Sequence, residues 1–239
     1  YLDFELKEPE IDAMVDVANE EGAINEAQKY DIEASLRSIR DFNRSESDDI
    51  EGLARNIIKN LGYKANNINI ARAIKYLKKN HLIAVPTETV YGLAGSAYSN
   101  NSVKKIFSIK KRPLINPLII HYYSIKSLSK DAELNENFFK LYKKFCPGPI
   151  TFVLNKKQSS KISDLATAKL DTIAVRFPRN QIARNLLKKL KFPLAIPSAN
   201  MSGGISPVEP KDVSEEFGKK LKMIIDGGQC KIGIESTVV

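Results

Sequence analysis

The nine residues Val85-Pro-Thr-Glu-Thr-Val-Tyr-Gly-Leu93 constrain this chain more than any other stretch. Leu82 to Val85 read as a short apolar strand, and Pro86 breaks it. Two threonines, a glutamate and a tyrosine then stand where a buried strand turns out of a sheet. Small polar side chains at such a strand end suit ligand binding better than packing. Read alone, the stretch fits an ordinary strand-to-helix turn equally well.

From Ile70 onward the hydrophobic pattern alternates between two periods. Ile70, Ala73, Ile74 and Leu77 repeat at helical spacing, as do Val103 to Ile109, Phe138 to Phe145 and Ile182 to Leu190. Between them lie short apolar runs that read as strands: Leu118–Ile120, Ile150–Leu154, Thr172–Val175, Leu194–Ile196, Met223–Asp226 and Ser236–Val239. Strands alternating with helices predict an α/β domain, α+β-like in its mixed sheet, over residues 63–239. Residues 1–62 read differently, as an acidic helical segment. Ile32, Leu36 and Ile39 share a helix face, as do Leu53, Ile57 and Leu61; Gly62 ends the second helix and Asn66-Asn67 belongs to a linker. That segment carries no nucleophile constellation, phosphate loop or metal spacing, and its role is not readable.

The net charge of +9 hides this division. Residues 1–60 hold 16 Asp and Glu against 7 Lys and Arg, whereas residues 61–239 hold 12 against 30. A basic body favours phosphate-bearing ligands, nucleotide or RNA. Pairs such as Lys78-Lys79, Lys156-Lys157 and Lys188-Lys189 fit solvated lysines better than a groove. No apolar run approaches the ~20 residues that span a bilayer, so no membrane is expected. Cys146 and Cys230 lie far apart, which argues against zinc and against a disulfide framework. A reduced, cytoplasmic protein is the expectation.

Several pairings could carry chemistry. Lys110-Lys111-Arg112 ends a helical turn before Pro113, so three cationic heads could leave together and hold a triphosphate. Pro113 and Asn116-Pro117 stiffen that loop. His121 ends an apolar run, where a histidine is more often structural than catalytic. Arg176 ends the strand Thr172–Val175 and could meet a substrate carboxylate or, as readily, a neighbouring acid. Ser198 and Asn200 alternate, so both side chains could face one ligand.

In order and spacing, these segments with Pro197-Ser-Ala-Asn-Met-Ser-Gly-Gly, Asp226-Gly-Gly and Glu235-Ser-Thr-Val-Val closely resemble the YrdC-like family, the threonylcarbamoyl-AMP synthases of tRNA modification. The resemblance runs from about Ile70 to the last residue. It implies a YrdC-like twisted mixed sheet with flanking helices. It also implies a reaction of L-threonine, bicarbonate or CO2, and ATP that yields threonylcarbamoyl-AMP and pyrophosphate. Roles carry over as ATP contacts for Lys110, Arg112, Asn116, Thr172, Asn200 and Ser206. Threonine contacts carry over to Thr89, His121, Arg176, Ser198 and Ser236. No residue is assigned as acid, base or nucleophile. Mg2+ is expected with ATP, although no carboxylate cluster is dedicated to it. The expected partners are the enzyme that transfers the threonylcarbamoyl group to tRNA, and tRNA itself.

The chain departs from the usual Ser-Pro-Thr with Ser206-Pro207-Val208, which removes a hydroxyl at position 208. It also stops before an arginine that the family places near the nucleotide, so a C-terminally truncated domain is expected. Two other readings stand beside the synthase. One is a double-stranded RNA or tRNA-binding module without catalysis, using a basic concave face. The other is the related carbamoyl-adenylating domain of hydrogenase maturation.

Overall fold

The computed structural model describes residues 63–239. The helices expected between residues 10 and 61 lie outside the described residues. Asn66-Asn67 proves to be a helix start rather than a linker. The Asn66 side chain accepts the backbone N–H of Asn69 at 2.8 Å and caps α1 (Asn67–Lys78).

Eight further strands follow β1 (Tyr63–Lys64) in chain order: β2 (Ile83–Pro86), β3 (Tyr91–Ser96), β4 (Ile119–His121), β5 (Ile150–Asn155), β6 (Thr172–Arg176), β7 (Leu194–Ala195), β8 (Ile225–Asp226) and β9 (Thr237–Val238). The helices after α1 are α2 (Asn100–Lys110), α3 (Ile125–Leu128), α4 (Glu136–Phe145), α5 (Gln181–Lys189) and α6 (Pro210–Phe217). Seven strands form one mixed sheet in the order β2-β3-β7-β4-β6-β5-β9, and β1 pairs with β8. An α/β fold with a mixed sheet is what the alternation predicted. The Val85–Leu93 turn, however, is a hairpin. β2 and β3 pair antiparallel with Pro86 opposite Tyr91, and the polar residues 87–90 form the connection. A second strand directly after the turn buries Tyr91, Leu93 and Ala94 completely, which a helix there would not do.

Side chains alternate across the sheet, and the two faces fare differently. Leu82, Ala84, Leu93, Ile120, Phe152 and Val175 point to one face, packed with Val103, Ile106 and Phe107 of α2 and Phe138 of α4. Ile83, Val85, Ala94, Leu194 and Ile196 point to the other, packed under α1 and α5 through Ile70, Ala73, Leu77, Leu186 and Leu187. These helices cover only the β2-β3-β7 half of that second face. Continuing its alternation into β4, β6 and β5 reaches Ile119, Ala174 and Thr172, all half-buried, and Val153, which is 47% exposed. The uncovered half of the second face is an open floor, and it decides where a ligand can lie.

Candidate functional site

The register aligns polar side chains across that floor. His121 is paired with Arg176 and Leu194, and Arg176 with Thr151. His121, Arg176 and Thr151 therefore form one row at one end. The β4–β6 register sets Pro117 level with Thr172, at the entry to both strands. These two levels are four residues apart along β6, roughly 13 Å at strand rise.

At the first end the hairpin connection folds over the floor. Glu88 Oε1 accepts from Arg176 Nη2 at 2.8 Å, with both side chains buried. Glu88 Oε2 accepts the backbone N–H groups of Arg179 and Asn180 at the start of α5, at 2.9 and 3.2 Å. Burial alone would raise the Glu88 pKa, but the charge and hydrogen bond of Arg176, with the backbone donors, hold it below its ordinary value. The neighbouring-acid reading of Arg176 is thus realised. It does not exhaust the guanidinium, because Arg176 Nε is buried without a partner among the described residues. His121 Nδ1 lies 3.3 Å from the Ile119 carbonyl, which can only accept, so the proton sits on Nδ1. Nε2 is then an acceptor, buried and without a partner among the described residues. Burial first, then the Arg176 charge, keeps the ring neutral well below the usual histidine range. Unsatisfied buried polar atoms are expensive, and two of them in adjacent paired residues point to a polar ligand.

Thr89 Oγ1 lies 2.8 Å from Thr87 Oγ1, which donates to the Val90 carbonyl. Ser236 joins the row from the far edge, its hydroxyl 2.7 Å from that of Thr151. Residues 230–236 pass over the site as a strap. Backbone N–H groups of Ile232 and Gly233 donate to the carbonyls of Glu88 and Thr89, and Ser206 Oγ donates to Glu235 Oε1.

At the second end the three cationic heads do not leave the helix together, as the sequence suggested. α2 ends in a turn where Lys111 adopts a left-handed conformation (φ 49°, ψ 37°) and Arg112 N–H returns to the Phe107 carbonyl. That reversal sends the side chains apart. Lys110, with 1% exposure, donates to the Ser198 carbonyl at 2.6 Å and to the Asn200 carbonyl. Burial lowers its pKa to about 8, with Arg112 contributing and Glu235 opposing. Lys111 is exposed. Arg112 donates to the Asn116 and Pro117 carbonyls, both at 3.1 Å, and so braces the loop entering β4. The Asn200 side chain turns back on its own loop. Its Nδ2 donates to the carbonyls of Met201 and Gly204 and folds its own loop. Ser198 lies beside Gly92, with which its backbone forms a bridge. A Cβ at Gly92 would lie 2.2 Å from Ile196 Cγ2, so only glycine lets the two chains come this close.

Sequence reasoning reads Thr87 and Glu88 only as part of the polar strand exit, without roles of their own, and gives no role to Thr151 or Glu235. The Glu88 pairing could have been inferred: an acid inside an apolar strand exit must find a buried cation, and Arg176 ends an apolar strand. Thr151 and Glu235 carried no such signal.

The fold and site define an α/β protein with an open sheet floor, a neutral polar recess at one end and a cation-braced loop at the other. Residues 75–239 match the family model for the Sua5/YciO/YrdC domain, described as telomere recombination, and the chain belongs to that family. It is 45% identical over 184 residues to the threonylcarbamoyl-AMP synthase of Pyrococcus abyssi, covering 77% of this chain and 54% of that protein. It is 40% identical over 175 residues to that of Bacillus subtilis, covering 73% and 50%. Among solved structures, P. abyssi Sua5 complexed with L-threonine superposes with a TM-score of 0.68 at 46% identity, over 71% of this chain and 49% of that one. The chain spans about half the length of these relatives.

Proposed function

We propose that this chain joins L-threonine, bicarbonate or CO2, and ATP into L-threonylcarbamoyl-AMP, releasing pyrophosphate. The observation that carries this reading is the row His121–Arg176–Thr151, with two polar atoms unpartnered among the described residues, lying roughly 13 Å along one strand from two loops, one held by Lys110 and the other by Arg112. The span suits an amino acid at one end and a nucleotide at the other. The relative solved with L-threonine lends support for the amino acid.

In this reading Arg176 offers its free Nε–H to the substrate carboxylate, while Glu88 holds the guanidinium in place. His121 Nε2 accepts from the threonine, and the Thr89 and Ser236 hydroxyls orient it. The threonine ammonium releases a proton to solvent, and the free amine takes up CO2 and releases a second proton to solvent to give a carbamate. A carbamate oxygen attacks the α-phosphorus, and pyrophosphate departs. No enzyme nucleophile is needed; catalysis is positioning together with neutralisation of phosphate charge. Ser206 and Thr172 stand beside the nucleotide path. ATP arrives as its Mg2+ complex. Among the described residues no cluster of three or more His, Cys, Asp or Glu could hold a metal ion. The product then passes to the enzyme that modifies tRNA.

The test is pyrophosphate release from ATP with bicarbonate and each amino acid in turn. Release with L-threonine alone, lost in Arg112→Ala, is the expected result. Turnover independent of threonine would favour the carbamoyl-adenylating reading instead. Absence of turnover together with RNA binding would favour a module without catalysis.

A further inference from the structure

A second basic feature lies away from this site. α2 has two faces about half a turn apart. Lys110 continues the buried face of Val103, Ile106 and Phe107, and reaches the Ser198–Asn200 loop. Lys104, Lys105, Ser108, Ile109 and Lys111 belong to the opposite face. Together with His81, Leu82, Lys220 and Lys222 they line a cavity of about 590 Å3. Five lysines and a histidine converge there, and no carboxylate is among the lining residues. None of the five makes a salt bridge with an acid among the described residues.

We propose that this lysine-walled cavity binds closely spaced phosphate groups of a polyanion. Leu82, Ile109 and the aliphatic lysine stems form an apolar floor, and the ammonium groups form the rim. Lys105 is fixed, because its Nζ donates to the Asn80 carbonyl at 2.9 Å. Lys104, Lys111, Lys220 and Lys222 are exposed and free to adapt. The positive field is felt by His81, whose pKa is lowered by burial and then by Lys105, Lys222 and Lys79. Isolated surface lysines are ordinary. Five around one concavity, with no acid among the described residues to balance them, form an electrostatic trap for multivalent anions. The proposal is independent of the nucleotide reading, since α2 turns different residues to the two places.

The phosphates could belong to an RNA backbone or to a free polyphosphate, and two probes separate these. The full 239-residue chain is titrated with a labelled RNA hairpin and with inorganic tripolyphosphate, at several salt concentrations. The variant is Lys104→Gln/Lys220→Gln/Lys222→Gln, whose three side chains are exposed; Lys222→Gln alone serves if the triple variant is unstable. Affinity for the cavity's ligand is expected to fall by roughly tenfold in the triple variant and twofold to threefold in the single one. For RNA, the slope of log affinity against log salt should also shrink by about 2 to 3, near one per lost phosphate contact. A drop for RNA identifies nucleic acid; a drop for tripolyphosphate alone identifies a free polyphosphate. Unchanged affinity for both probes overturns the proposal. Arg112→Ala is titrated in parallel: anion binding lost there, but intact in the lysine variants, would place it at the nucleotide loop and also overturn the cavity. L-threonine affinity should be unaffected by the lysine changes.

Discussion

The two ends of the open sheet floor handle charge in opposite ways. At the Arg176 end, side chains balance one another: Glu88 is paired with Arg176, and His121 is neutral. The recess has no net charge but retains unsatisfied hydrogen-bonding atoms. At the Lys110 end, cations bind main-chain carbonyls, which shape the loop without cancelling the charge. A zwitterion such as threonine suits the first end, because it brings dipoles and no net charge. A polyphosphate suits the second. On the proposed reading, the same floor separates recognition by hydrogen-bond geometry from recognition by electrostatic potential.

The largest effect expected follows from removing Arg176. Arg176→Ala leaves Glu88 buried beside backbone donors but without its counter-charge, and breaking a buried pair in this way costs about 3–5 kcal/mol. Urea unfolding would read that loss, and threonine binding should vanish. The pH dependence sharpens the test. In the wild type Glu88 is held below its ordinary pKa, so its stabilising contribution is present above the unfolded carboxyl pKa and is lost as pH falls through the folded one. In Arg176→Ala the burial effect is uncompensated, so acid unfolding should begin at higher pH. An unchanged acid midpoint would mean that the pair does not hold this end together.

Next is Lys110, whose removal should act chiefly at the other end. Lys110→Met would release the Ser198 and Asn200 carbonyls and weaken ATP binding by roughly ten- to a hundredfold, the worth of one or two charge-assisted hydrogen bonds. Threonine affinity should fall less, and only through the displaced Ser198 loop. With a pKa lowered to about 8, Lys110 also makes the wild type pH-sensitive in two opposite directions. Between about pH 8 and 10 the unfolded chain retains this proton while the folded chain releases it, so stability from this group rises with pH. ATP affinity falls over the same window as the cation is lost. Calorimetric titration of ATP at pH 7 and 9 would check this, and Lys110→Met should show neither trend.

A smaller effect is expected at His121. Its neutrality predicts threonine affinity that is flat from pH 6 to 8, where an ordinary histidine titrates. His121→Gln should weaken threonine binding by about tenfold, near the cost of one unsatisfied buried acceptor or donor. A step in affinity near pH 6.5 would show that His121 binds threonine as a cation and that the recess is not neutral.

Much of this contrast was legible before the fold. The apolar strand exits at Val85, Ile120 and Val175 located the polar residues Thr89, His121 and Arg176, because period-2 burial forces side chains beyond a strand end into special surroundings. Two features were not legible. The hairpin at Val85–Leu93 depends on Tyr91–Ser96 finding β7, a partner about 100 residues away in sequence. The fates of Lys110 and Arg112 depend on one backbone reversal at Lys111. Lysine carries no signal for a left-handed conformation, which glycine or asparagine would have announced.

That reversal offers the finest test of the comparison. The Arg176 end is built from ordinary strand geometry, whereas the Lys110 end depends on a lysine at φ 49°. A non-glycine residue there bears about 1 kcal/mol of strain. Lys111→Gly removes the strain but adds backbone freedom in the unfolded chain, worth about 0.5–1 kcal/mol in the opposite direction. The two nearly cancel, so stability should change by less than about 1 kcal/mol. Threonine affinity should not change at all, and ATP affinity should fall only about twofold through a looser Arg112 loop. A loss of several kcal/mol would show that the exposed Lys111 side chain, rather than its backbone angle, holds the end of α2.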